Sequence, residues 1–399
     1  MKRLLGSLGL YTLLGFVPMA TSLIMVPLYL GYLSVDEYGL IALVNVSQVF
    51  FVLGVSLNVD AAFARFYFDE EESASHIGKL LATCVLLVVV SSLAWAAGLA
   101  TLGASVWELA LPSLPFHPFA WLVLLTAAGQ TLQSVLFLYF RNREEPVYAL
   151  LTSLAPFLLA TAFTFAAVGP LHLGAVGAVA GRAVGTAAGV LPVALFIMRG
   201  RAGAPSATLL KSLLAYSAPL LAYTILNNLL FQGDRILVER WFGLETLGRY
   251  ALAAVVIAPL DVISNAAGQA ITPTIYRGLS TGDGATVRRF AEGAYDSLSA
   301  GLTVLIVLAI WAFAPLLAFA GREEYAAGAI FVPVLALSQL FRVRYVCSSI
   351  PLFYFKRTAW LPFVTATSIG LGLAMAALAT RYFGLIGIPA AVLAWKWSQ

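Results

Sequence analysis

From residue 8 onward the sequence is a succession of apolar runs, most of them twenty or more residues long, separated by short polar breaks. About 20 apolar residues carry an α-helix across the hydrocarbon core of a bilayer, and only helices and closed barrels satisfy their backbone there. The runs fall near 8–31, 38–60, 79–102, 119–140, 147–168 and 174–198, then near 213–237, 247–271, 295–320, 326–354 and 359–380. A last run starts at Gly384 with room for only part of a crossing before residue 399, so it is either short and tilted or continued beyond that point. Composition excludes an aqueous fold: 61% of the residues are hydrophobic and 11% charged, against roughly 25% charged in soluble domains. One core of this size cannot bury so much apolar surface. The opening Met1-Lys2-Arg3 resembles the start of a secretory leader, but the apolar run after it is too long, and it is expected to stay as the first span.

Lysine and arginine set the expected orientation. With the N-terminus in the cytoplasm, one side holds Lys2, Arg3, Arg65, Lys79, Arg141, Arg143, Arg199, Arg201, Lys211, Arg277, Arg288, Arg289, Lys356 and Arg357, and the other Arg240, Arg249, Arg322 and Arg381. Fourteen against four places the N-terminus inside, with an even number of spans. The same loop placement explains the pI near 9.0 without nucleic acid. The acidic run Asp69–Glu72 reads as a solvated loop.

The chain repeats itself. Residues 33–43 match 242–252 at an offset of 209, with Gly39 on Gly248 and Ala42 on Ala251; Ala61 falls on Ala270 and Tyr67 on Tyr276. Gly384 and Gly387 fall on Gly174 and Gly177 at an offset of 210. The expected architecture is all-α, about twelve transmembrane helices in two six-helix bundles: 1–198, a cytoplasmic linker at 199–211, and 212–399. Six spans per unit make the repeats parallel. Two such bundles are expected to face each other across a cavity and to rock for alternating access.

Polar groups inside the spans mark candidate contacts, since a buried charge costs about 2.5–3.5 kcal/mol on insertion scales. Asn228, Gln232, Arg235 and Glu239 recur on one face of the seventh span, and Asp261, Asn265 and Gln269 on one face of the eighth. The tenth carries Gln339 and Arg342 with Arg344 nearby, the sixth Arg182, and the second Asn45 and Gln48; Arg65 follows the second. The functional reading is a wet cavity in which arginine forks meet an anionic ligand. The plain reading is pairing: Asp234 or Asp261 neutralises Arg235, and Arg344 reaches the interface. Gly177, Gly181, Gly185 and Gly189 form a smooth stripe suited to close helix packing.

Other chemistries find little support. Cys84 and Cys347 sit far apart in apolar runs and read as packing residues. His76, His117 and His172 lie in different loops, which makes a metal site improbable. No phosphate-loop motif occurs, so no built-in ATPase and no cofactor is expected.

Pro27-Leu28-Tyr29-Leu30-Gly31-Tyr32-Leu33-Ser34-Val35-Asp36-Glu37-Tyr38-Gly39-Leu40 and Ala64-Arg65-Phe66-Tyr67 resemble signatures of the polysaccharide transporter (Wzx-type flippase) family. Asp234-Arg235-Ile236-Leu237-Val238 followed by Gly248-Arg249-Tyr250-Ala251 is similar to the family pattern in the second half. That family belongs to the multidrug/oligosaccharidyl-lipid/polysaccharide exporter superfamily, whose MATE-like fold has the two-half layout read above. The resemblance implies a flippase, not an enzyme, that moves an oligosaccharide on a polyprenyl pyrophosphate across the bacterial inner membrane, alongside a polysaccharide polymerase or ligase. It further implies that Arg235, Arg182 and Arg342 clamp the diphosphate and that Asn228, Gln232, Asn265 and Gln48 touch sugars. No lysine or arginine lies between Arg3 and Arg65, where related families place basic residues, so the anion site is expected to lean toward the second half. The alternatives are a multidrug extruder, which needs membrane carboxylates that are scarce here; a lipid II flippase, which resembles fourteen spans; and a membrane-embedded polymerase or ligase, which needs a larger loop than 103–118.

Overall fold

The computed structural model describes residues 25–68, 74–280, 284–319, 321–354 and 360–391. Among these residues the regular structure is helical throughout: α1 (25–32), α2 (Val35–Ser56), α3 (Val59–Phe66), α4 (Ala74–Gly98), α5 (Ala104–Ala110), α6 (Phe119–Asn142), α7 (Pro146–Val168), α8 (Gly174–Gly200), α9 (Ala207–Ser280), α10 (Gly284–Phe319), α11 (Phe331–Tyr354) and α12 (Trp360–Phe383). A π-helical stretch, Leu99–Gly103, joins α4 to α5, and 3-10 turns occupy Glu323–Ile330 and Gly384–Ile386. Ten helices among the described residues are long and apolar enough to cross a membrane, and they take in the expected second to eleventh spans. Most of the first expected span and the end of the last lie outside the described residues.

The 74 residues of α9 are not one rod. Gly243 breaks them with φ 81° and ψ 178°, a left-side conformation open to glycine. Asp234 and Tyr250, sixteen residues apart, are hydrogen-bonded side chain to side chain. A straight helix would hold them about 24 Å apart, so the chain doubles back at Gly243.

Two compact units divide between Asn228 and Leu229. In the first, Phe63, Leu80, Leu81, Cys84, Leu136, Tyr139, Phe140, Ile197 and Leu213 form one core joining α3, α4, α6, α8 and the start of α9. Cys84 is fully buried and serves packing; the side chain of Cys347 lies outside the described residues. Residues of the expected linker 199–211 are packed onto this unit, with Gly203 N donating to Gly78 O (2.9 Å) and Ser206 N to Thr83 Oγ1 (3.0 Å). The compact units part inside the expected seventh span. Arg201 grips both oxygens of Glu145 at 3.1 and 2.8 Å, and Arg143 Nε donates to Glu145 at 3.0 Å. Burial pushes the Glu145 carboxyl up, but hydrogen bonds and charge from Arg201 and Arg143 outweigh it and hold the group below the usual glutamate range.

The glycine stripe of α8 lies on α7. A Cβ at Gly181 would meet the backbone of Thr164, at Gly185 that of Ala160, and at Gly189 that of Pro156. Numbers rise on one helix as they fall on the other, so the pair is antiparallel and in backbone contact. The repeat also has a structural signature. Gly174 and Gly384 adopt φ 60° and 58°, and a Cβ on either Gly177 or Gly387 would overlap the end of the preceding helix or its loop.

Candidate functional site

Glu37 sets the register between α2 and α8. Ser34 caps α2 by accepting from Glu37 N, and Glu37 returns the contact by accepting from Ser34 N at 3.0 Å. The other Glu37 oxygen accepts from Ala175 N, 3.2 Å away, in the first turn of α8. A carboxylate is favoured there because the first N–H groups of a helix lack internal partners. A Cβ on Gly174 would overlap that oxygen, which together with its positive φ explains the glycine.

With the two N-termini tied, Asn45 lies eight residues beyond Glu37 and Arg182 seven beyond Ala175, about 10–12 Å along each helix. They meet: Arg182 Nη1 donates to Asn45 Oδ1 at 2.6 Å. Asn45 is exposed although Val44 and Val46 beside it are 0% and 1% exposed. Arg182 Nε and Nη2 are buried and have no hydrogen-bond partner among the described residues. Tyr29 is an electrostatic neighbour, and no described carboxylate pairs with the guanidinium. The result is a cation with two unused donors inside a membrane span.

Arg235 differs. Its Nη1 lies 3.2 Å from Asp234 Oδ1 and donates to Phe231 O at 3.2 Å; its backbone N also donates to Asp234 Oδ1. Asp234 is 6% exposed and its second oxygen accepts from Tyr250. Of the two partners considered from the sequence, Asp234 is the one bonded. Asn228 Nδ2 donates to Thr224 O at 2.9 Å, and Gln232 is half-buried. Glu239 is 3% exposed, with Oε2 unpartnered among the described residues.

The remaining candidates scatter. Gln48 is buried against α6; with its amide turned to satisfy both atoms, nitrogen donates to Val123 O (3.3 Å) and oxygen accepts from Ala127 N (2.9 Å). Arg65 and Arg344 are exposed, and Asp261 is half-buried. The side chains of Asn265 and Arg342 lie outside the described residues. Tyr29, Glu37 and Tyr250 were not singled out as site residues, though all three stand in the quoted family-like segments. Among the described residues no cluster could hold a metal ion.

A family model for polysaccharide biosynthesis proteins matches residues 4–279. The chain belongs to this family. Polysaccharide biosynthesis family membership covers both Arg182 and Arg235 within the matched stretch. No curated protein matches the chain. Among solved structures, the lipid II flippase MurJ in an inward closed conformation is similar at TM-score 0.76 and 12% identity, over 97% of this chain and 85% of that one. An inward-facing multidrug resistance MATE family transporter of the MOP superfamily is similar at TM-score 0.71 and 12% identity, over 95% and 91%. The MATE multidrug transporter DinF-BH, solved with R6G, is similar at 0.65 and 13%, over 99% and 92%. This family member thus has the fold of those transporters and is a multi-pass membrane protein.

Proposed function

We propose that the chain flips a lipid-linked oligosaccharide, carried on a polyprenyl diphosphate, across the bacterial inner membrane, with its N-terminus in the cytoplasm. The observation that carries this reading is Arg182, whose charge has no described carboxylate and whose buried Nε and Nη2 have no acceptor among the described residues. An intramembrane charge is expensive and marks a functional site by default. A planar fork with two free N–H groups suits a phosphate oxygen pair. Family membership in polysaccharide biosynthesis and the MOP-type fold support a transporter over a catalyst. Arg235 takes the lesser part, because Asp234 already meets its charge.

The test is translocation of lipid-linked oligosaccharide in proteoliposomes at matched protein levels. Arg182→Ala should slow flipping by roughly 10- to 100-fold, the worth of a hydrogen bond to a charged group. Arg182→Lys should recover part of it. An unchanged rate in Arg182→Ala would remove the anion contact, and an intact protein that moves small cations but no lipid-linked sugar would replace the flippase with an extruder.

A further inference from the structure

The C-terminal end of α8 presents a feature remote in sequence from Arg182. Pro192 lacks an N–H and interrupts the helix ladder. Beside it opens a groove of about 460 Å³ lined by Pro192, Leu195, Phe196, Arg199 and Gly200. Leu195 and Phe196 are 56% and 66% exposed. On a spanning helix such side chains face hydrocarbon, so the groove takes an alkyl chain and not water. Arg199, which also lines it, is exposed, with no ion pair or hydrogen bond among the described residues. Its neighbours are spent: Arg201 and Arg143 share Glu145.

We infer that this groove is a binding site for one anionic phospholipid, with an acyl chain along Pro192, Leu195 and Phe196 and the phosphodiester on Arg199. The basic side chains at this end, Arg141, Arg143, Arg199 and Arg201 against Glu144 and Glu145, leave a net positive surface, and anionic headgroups of the cytoplasmic leaflet complement it. The site lies apart from Arg182, which is seventeen residues earlier on α8.

Native mass spectrometry of the protein taken from phosphatidylglycerol/phosphatidylcholine nanodiscs tests this. The intact chain should retain one phosphatidylglycerol in preference to phosphatidylcholine. Arg199→Gln should cut that preference about fivefold, the effect of one basic side chain at an anionic surface. Arg199→Lys should keep it, and Arg381→Gln should leave it unchanged. Equal preference in the intact chain and Arg199→Gln overturns the site. So does retention of a polyprenyl diphosphate in place of phosphatidylglycerol, or a dimer that Leu195→Ser dissociates. None of these readouts depends on transport, so the flippase reading can fail separately.

Discussion

Two arginines in spans of similar hydropathy have opposite surroundings, and the difference decides what each substitution does. Asp234 holds Arg235 and is itself held by Tyr250. Asp234→Asn should leave a cation without its counter-charge and cost about 3 kcal/mol, the low end for a broken buried pair since Arg235 keeps 24% side-chain exposure. Thermal unfolding in detergent measures it, and Asp234→Asn combined with Arg235→Gln should be milder than the two losses added. Glu145 predicts a pH dependence. Its folded pKa is depressed, so its contribution is present above the unfolded glutamate value, about 4.3, and fades as pH falls through the lower folded value. The melting temperatures of the intact chain and Glu145→Gln should differ at pH 7 and converge in acid below that range. A gap that stays constant with pH would show that the carboxylate charge contributes nothing there. Arg182 was legible because a lone charge in an apolar run stands out. The different pairing of Arg182 and Arg235 was not, because Arg182 bonds to Asn45, 137 residues away, and because Asp234 was one of two acids in range of Arg235.

Helices α7 and α8 pack backbone against backbone, and their contact rests on missing side chains. Gly185→Val should force two backbones apart and cost roughly 2–3 kcal/mol. Gly98→Ala, in helical conformation with nothing within 4 Å of its Cβ, should be neutral or gain up to about 1 kcal/mol. If both substitutions shift the melting temperature alike, the stripe is not a packing surface. The stripe was readable because glycine at steps of four has one obvious use in a membrane. Hydropathy located the spans for the same reason. It could not show the π-helical stretch Leu99–Gly103 or the 3-10 turns at Glu323–Ile330, which depend on hydrogen-bond register and not on which residues are apolar.

Across the molecule, the repeat survives where the backbone demands it. Ser34 and Gly243 both mark breaks between helices, and Gly174 and Gly384 share one left-handed turn, while most side chains between them have diverged. The orientation drawn from basic residues is open to direct labelling. In a Cys84→Ala/Cys347→Ala background, His172→Cys should react with an impermeant maleimide added outside cells, and Glu144→Cys only after permeabilisation. The reverse pattern would invert the topology.

The hydrogen bond between Arg182 and Asn45 has a consequence for biogenesis. Arg235 leaves the ribosome directly behind Asp234 and can enter the translocon as half of a neutral pair. Arg182 enters on α8, which contains no acid at all. A bare arginine near the centre of a helix costs about 2.5–3.5 kcal/mol to insert, and its acceptor was synthesised 137 residues earlier and already stands in the bilayer. Partitioning of α8 should therefore depend on what the nascent chain has placed before it. A glycosylation-tagged α8 following α2 should insert more completely than the same helix following an Asn45→Leu version.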